Sequence, residues 1–186
     1  LIGRYTAGRV PVFGDFYVRH WIVQQSVKLV PWWMLEGTEF QCIALRALGA
    51  KIGRRVHLHR GVHLFQGGWD LLEIGDDVSL NQDTSLRLME WEDGQMVFGS
   101  IRIGDRCTVE VHAGLGRDTR MGSDSCLAAR ASLETGGRIP AGARWSGIPA
   151  RDSGRPAAPA PRIDVSGVRL SPISAGVPFC ERSART

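Results

Sequence analysis

Aliphatic residues return at every sixth position from Ile103: Val109, Leu115, Met121, Leu127 and Leu133 follow without a miss. The position four beyond each of these is small: Cys107, Ala113, Thr119, Ser125, Ala131 and Gly137. A helix repeats its apolar face at three and four residues, and a half-buried strand alternates every two, so neither accounts for the pattern. A period of six with one large and one small apolar position is the signature of a parallel β-helix. The large side chain fills the coil, and the small one sits where the wall bends. Each strand then pairs with the coils above and below it.

The same rhythm runs upstream with interruptions. Ile52, Leu58 and Leu64 form one run, with Val56 and Val62 at the small positions; Ile74, Leu80 and Leu86 form another, with Val78 and Thr84. The stretch "FQGGWD" separates these runs, and "RLMEWEDGQMVFGS" (87–100) breaks the register before Ile103. The spacing predicts about four coils of roughly eighteen residues, from residue 52 to residue 139. Insertions in solenoids become loops on one face, so 87–100 is the candidate wall or lid of a site. Glu90, Glu92 and Asp93 within it read as solvated loop residues.

Before the coils, "GTEFQCIALRALGAKIG" predicts a short helix with Thr38 as N-cap, an apolar face of Phe40, Ile43, Ala44 and Leu48, and Gly49 as its stop. It would cover the open end of the first coil. The aromatic segment "DFYVRHWIVQQSVKLVPWWML" is too short to span a membrane. It reads either as an amphipathic helix packed on the coils or as one lying at a membrane surface. Residues 152–186 are rich in Pro, Ala, Ser and Arg without a period, and predict a linker or disordered tail. The organisation is therefore a cap segment (1–48), a β-helix domain (49–151) and a tail (152–186). The chain begins at Leu1 rather than Met and is expected to be a piece of something longer.

Charge changes this picture little. The net charge is +4, and the tail's five Arg against three acidic residues supply half of it. The basic residues are neither clustered nor interleaved with aromatics on one domain face, which argues against nucleic acid as a partner. The four cysteines contain no C-x-x-C and no paired spacing. A reducing, cytoplasmic setting without a disulfide framework is expected. His57, His59 and His63 resemble a metal cluster but lack a Cys or carboxylate partner, so no metal is expected.

The coil residues resemble the hexapeptide-repeat acyltransferases. "IGDRCTVEVH" followed by "SCLAARAS" is similar to the catalytic segment of maltose and galactoside O-acetyltransferases. "IPAGARWSGIPAR" resembles their closing turn, with Gly147, Pro149 and Ala150 at the matching places. "GTEF…ALRALGAKIGRRVHL…IGDDVSL…RWSGIPAR" also looks like the C-terminal hexapeptide-repeat regions of polylysine-type nonribosomal peptide synthetases, where Trp145 precedes the final Gly-x-Pro-Ala. The resemblance covers about residues 45 to 151. It implies an all-β fold, a left-handed parallel β-helix with a short N-terminal helical segment. It implies acyl transfer from acyl-CoA (acetyl-CoA) or a carrier-protein phosphopantetheine thioester to a small-molecule hydroxyl or an aminoacyl amine. It also implies a homotrimer, or a pseudo-trimer of tandem modules, in a membrane-adjacent parent chain.

The family's catalytic histidine falls on His112 and its acceptor-binding asparagine on Asn81. Imidazole suits this chemistry because it titrates near working pH and accepts the attacking group's proton. Asp83, Glu90 and Glu92 are candidates to orient the imidazole or the acceptor. A backbone N–H near Ala131 and Ser132 is the candidate oxyanion donor. Two departures stand out. Glu110 and Val111 occupy positions that are often Gly, which narrows the expected thioester channel. Thr135-Gly136 replaces a Thr-Lys pair, leaving Arg138 or Arg151 to meet the donor's phosphates, with Trp145 nearby. The peptide-bond-forming module and a non-catalytic scaffold remain the alternatives.

Overall fold

The computed structural model describes residues 3–62, 64 and 66–156, so His63 and most of the predicted tail lie outside the described residues. The hexads wind into a parallel β-helix with three flat faces. The first face stacks Lys51–Ile52, Leu72–Ile74, Ile101–Ile103, Thr119–Met121 and Arg138–Ile139. The second stacks His57–Leu58, Ser79–Leu80, Thr108–Val109, Cys126–Leu127 and Arg144–Ser146, and the third Ser85–Leu86, Gly114–Leu115 and Ser132–Leu133. All these pairings are parallel, and residues of one hexad position lie directly over one another: Leu58, Leu80, Val109, Leu127 and Trp145 form one column.

Burial follows the period. The aliphatic row from Leu58 to Ile139 is buried throughout, and Val109, Leu115 and Leu127 have no exposed surface. The small row is equally inaccessible, from Val56 to Ala131. Gly137 shows why size matters there: an added Cβ would come 2.6 Å from Leu133 Cδ1. Three residues beyond each aliphatic position the chain turns a corner in the left-handed region. Arg55, Asp77, Asp83, Arg106, His112, Asp118, Asp124 and Arg130 all have φ between 53° and 60°. Such φ values are uncommon outside glycine. Here stacked coils hold them, because corner N–H groups bond to the coil below, as Asp124 N does to Asp105 O at 2.9 Å.

Both interruptions leave the helix at the corner between the third and first faces. The second is not an irregular loop. Met89–Glu92 and Gln95–Phe98 form an antiparallel hairpin, and the N-terminal strand Gly8–Pro11 adds to its outer edge. Its apolar side is buried through Met96 and Phe98.

The predicted cap helix forms as Glu39–Ala47, with Thr38 at the N-cap position and Gly49 past its end at φ 109°. Its phase differs from the expectation. Cys42 and Leu45 are buried, whereas Phe40 and Ile43 are 66% and 55% exposed. The contact with the first coil decides the phase, since Cys42 reaches Val56 O. Thr38 does not cap through its side chain either, as Oγ1 donates to Leu35 O at 2.6 Å.

The aromatic segment is helical over Asp15–Lys28 and Trp32–Leu35. A stripe of Phe16, His20, Val23 and Val27 packs on the core, while Val18, Trp21 and Trp33 stay exposed. Among the described residues no helix is long and apolar enough to cross a membrane. At the other end Arg151–Asp152 turns back antiparallel on Trp145–Ser146, and Ser153 N donates to Arg144 O, so the sheet continues past residue 151.

Titrating groups sealed in this core define a pH window. His20 is 2% exposed, with Nδ1 2.9 Å from the Tyr5 hydroxyl and Nε2 without a partner among the described residues. Burial holds its imidazole below the ordinary range. Unfolding frees it to take up a proton, so stability falls as pH drops below about 6.5. Cys42, Cys107 and Cys126 are buried thiols raised by desolvation, Cys126 to about 11 with Glu110 adding to the effect. Their contribution is full below the unfolded thiol range near 8.5 and is lost as pH climbs through the folded value. Urea midpoints are therefore expected to plateau between about pH 6.5 and 8.5 and to fall on both sides. Midpoints that stay flat from pH 5 to 10 would refute this.

Candidate active site

His112 stands at the corner between the second and third faces of the third coil, at φ 57°. The corner is held by His112 N donating to Gln82 O at 3.0 Å and by Arg130 N donating to Val111 O at 3.0 Å. A left-handed residue between two stacked corners turns its side chain out of the coil, and the imidazole is 53% exposed. Directly below, at the same corner, Asp83 brings Oδ2 to 3.8 Å from His112 Nδ1. That is ion-pair rather than hydrogen-bond distance, and catalytic contacts commonly tighten only when substrate binds. Asp83 thus faces one ring nitrogen and leaves Nε2 directed away from it. The Asp83 carboxylate fills the space over Gly61 (φ 78°), where an added Cβ would come 2.1 Å from Oδ1.

Asn81 lies on the second face, two residues before that corner. Its backbone N–H donates to Val109 O, and its Oδ1 accepts from Ser79 Oγ at 3.4 Å. Glu110 is the next residue up this column, and it turns along the wall instead of into the corner. Its carboxylate accepts Ala129 N–H at 2.9 Å and Arg144 Nη2 at 2.9 Å, with Cys126 Sγ at 3.5 Å. Partial burial opposes its ionisation, but these donors together hold it below the usual carboxylate range. Beside His112 the outward residue is Val111, 38% exposed, and the corner directly above holds the exposed Arg130, whose N–H meets Val111 O.

Other sequence candidates are placed elsewhere. Glu90 and Glu92 belong to the hairpin at the far edge of the third face and are not solvated loop residues. Both pair with Arg117, a corner residue with an 11% exposed side chain; Glu90 also accepts from Thr135 Oγ1 at 3.1 Å and lies 3.6 Å from Arg87. Two carboxylates around one buried guanidinium brace the hairpin to the coil. Ala131 points into the coil, so only its backbone can meet a ligand. The N–H groups of Ala131 and Ser132 are taken by Ala128 O and Gly147 O, which removes them as oxyanion donors. What remains at that place is Ser132 Oγ, 3.5 Å from Arg87 Nη2.

Trp145 falls in the aliphatic column, packs on the core and closes the last coil. Arg151 is exposed on the return strand, and Arg138 lies on the first face. His57 and His59 sit on the second face of the first coil with ring centroids 6.1 Å apart. Among the described residues no group of three His, Cys, Asp or Glu is placed to hold a metal. Sequence reading missed Arg87 and Arg117, because their partners come from an insertion whose fold the hexad period does not reach.

This is a three-faced hexapeptide β-helix with an imidazole–carboxylate pair at one corner and a hairpin inserted at another. No protein-family model matches the chain. Over 148 residues, 80% of the chain, it is 33% identical to the delta-poly-L-ornithine synthetase of Acinetobacter baumannii (strain AB307-0294), and it spans 11% of that protein's length. Among solved structures it is similar to a maltose O-acetyltransferase from Clostridium difficile 630, with a TM-score of 0.57 at 15% identity, covering 82% of this chain and 94% of that one. It is also similar to a galactoside acetyltransferase in complex with coenzyme A, with a TM-score of 0.55 at 14% identity, covering 80% and 86%. The chain therefore shares the fold of these acetyltransferases, a left-handed parallel β-helix of stacked hexads.

Proposed function

We propose that this chain is an acyltransferase domain in which His112 is the general base. The acceptor's hydroxyl or amine gives a proton to the imidazole as it attacks the carbonyl carbon of a CoA or carrier-protein phosphopantetheine thioester. The C–S bond then breaks, and the thiolate leaves with the proton carried by the imidazolium. The observation that carries this reading is the half-exposed His112 imidazole with Asp83 beneath one ring nitrogen. A carboxylate on one side fixes the tautomer that presents the other nitrogen as acceptor, and it stabilises the imidazolium formed during transfer. Asp83 is thus a positioning residue. Val111, exposed beside the imidazole, gives a pantetheine arm an apolar surface to lie against.

An amine acceptor is favoured by the 33% identity to a protein named as a polyornithine synthetase. On this reading the domain is a module of a longer synthetase and forms an amide bond. We expect a trimer or a pseudo-trimer of tandem modules, in keeping with the resemblance, and light scattering on the isolated chain tests it.

The deciding experiment incubates the chain with acetyl-CoA, or with an aminoacyl carrier-protein thioester, and with amine and hydroxyl acceptors, and follows acylated product by mass spectrometry. Asp83→Asn should lower turnover about ten- to a hundredfold, with a smaller effect on acceptor KM. A carrier without the imidazole–carboxylate mechanism would show Asp83→Asn and parent alike. Absence of any acyl product with every donor would leave the domain as a scaffold.

A further inference from the structure

We propose that Arg120 and Arg138, stacked above the Glu73-paired Arg102, form a binding site for a diphosphate-bearing small molecule on the first face. The strand register sets Lys51, Glu73, Arg102, Arg120 and Arg138 directly above one another. Successive rungs are about 4.8 Å apart, and all five side chains point outward. Glu73 pairs with Arg102 at 3.5 Å. Among the described residues Arg120 and Arg138 have no carboxylate within ion-pair distance.

Like charges directly opposite each other on neighbouring strands are destabilising. Outward positions of a solenoid face carry no packing demand, so nothing in the fold requires three arginines in a row. A bound anion would relieve the repulsion. A cavity of about 280 Å³ opens at these residues, lined by Ser100, Arg102, Asp118, Thr119, Arg120 and Arg138. Thr119 Oγ1 donates to Gly116 O, and Asp118 accepts Ser100 N–H at 2.9 Å, so these two polar side chains are already engaged within the protein. The guanidinium groups of Arg120 and Arg138 are the donors left to a ligand.

The chemistry of the ligand follows from this geometry. A guanidinium is a planar fork that matches phosphoryl oxygens two at a time. Two forks one strand apart span the two phosphoryl groups of a diphosphate, whereas a lone carboxylate would engage only one. The ladder is short: Glu73 ends it below, and Arg138–Ile139 is the last strand of the face. It therefore suits a small molecule rather than a polymer. The site lies on the first face and His112 at the corner of the other two, so the inference does not depend on acyl transfer. The diphosphate has two sources, the nucleotide end of a CoA donor or a separate nucleotide.

Isothermal titration of the chain with inorganic pyrophosphate, ADP, CoA and pantetheine, at about 0.15 M salt, tests the proposal. Pyrophosphate should bind and raise the melting temperature, and Arg120→Gln/Arg138→Gln should weaken that binding at least tenfold. If CoA loses affinity in the double variant while pantetheine does not, the donor is the source. If pyrophosphate and ADP lose affinity while CoA does not, the source is a separate nucleotide. Arg120→Gln without ligand should melt at or above the parent temperature, since it removes a repulsion. No saturable pyrophosphate binding, equal binding in the double variant, or a lower melting temperature for Arg120→Gln would each overturn the assignment.

Discussion

Leu127→Asp is expected to abolish cooperative folding of the coil domain. Leu127 has no exposed surface and stacks between Val109 below and Trp145 above. An aspartate there would place a carboxylate in an apolar column with no donor within the coil. Burying such a group costs several kcal/mol, and domain stability is about 5–15 kcal/mol in all. Because solenoid coils are held by their neighbours, the loss should spread to the coils on either side. Arg120→Gln, on the outward side of the same coil, is the control and should change stability by no more than about 0.5 kcal/mol. Urea denaturation followed by far-UV circular dichroism separates the two. Similar midpoints for both variants would mean that the six-residue register does not define the core.

The second large effect is on catalysis. Replacing His112 should lower acyl transfer by about a hundred- to ten-thousandfold, the range of a positioned general base. The corner geometry governs the choice of variant. With φ at 57°, His112→Asn keeps a residue at ease in the left-handed region, so lost turnover is not confused with a distorted corner. The parent's rate should also fall on acidification, because imidazolium cannot accept the acceptor's proton. His59→Ala, on the first coil, should leave the rate nearly unchanged. Full activity in His112→Asn, with the parent's pH profile, would remove the histidine from the mechanism.

These two predictions rest on different kinds of information. Leu127 was identifiable as core from sequence alone. Strand alternation sends one residue per hexad inward, and only an aliphatic side chain fills the coil without an unpaired polar atom. The same logic made Cys107, Ala113 and Ala131 legible as interior corner residues. The outward direction of His112 was legible for the same reason, three residues past Val109.

What surrounds His112 was not legible. Asp83 lies beneath it only because residues 87–100 leave the helix as a hairpin and return in register; had part of that stretch joined a coil, another residue would occupy the place. The pairing of Glu90 and Glu92 with Arg117 depends on the same excursion. The cap helix shows the limit at short range: Phe40, Ile43, Ala44 and Leu48 and the pair Cys42 and Leu45 are both at helical spacing, and only contact with Val56 selects the second. Arg102, Arg120 and Arg138 are separated by one coil each and so align by period, yet only the packed structure leaves two of them without a carboxylate. The sequence by itself determined the coil, its interior and the outward rows, because burial of an apolar side chain depends on local alternation. Which outward groups meet was decided by the tertiary structure, because charge pairs and hydrogen bonds depend on the number of residues that insertions remove between coils.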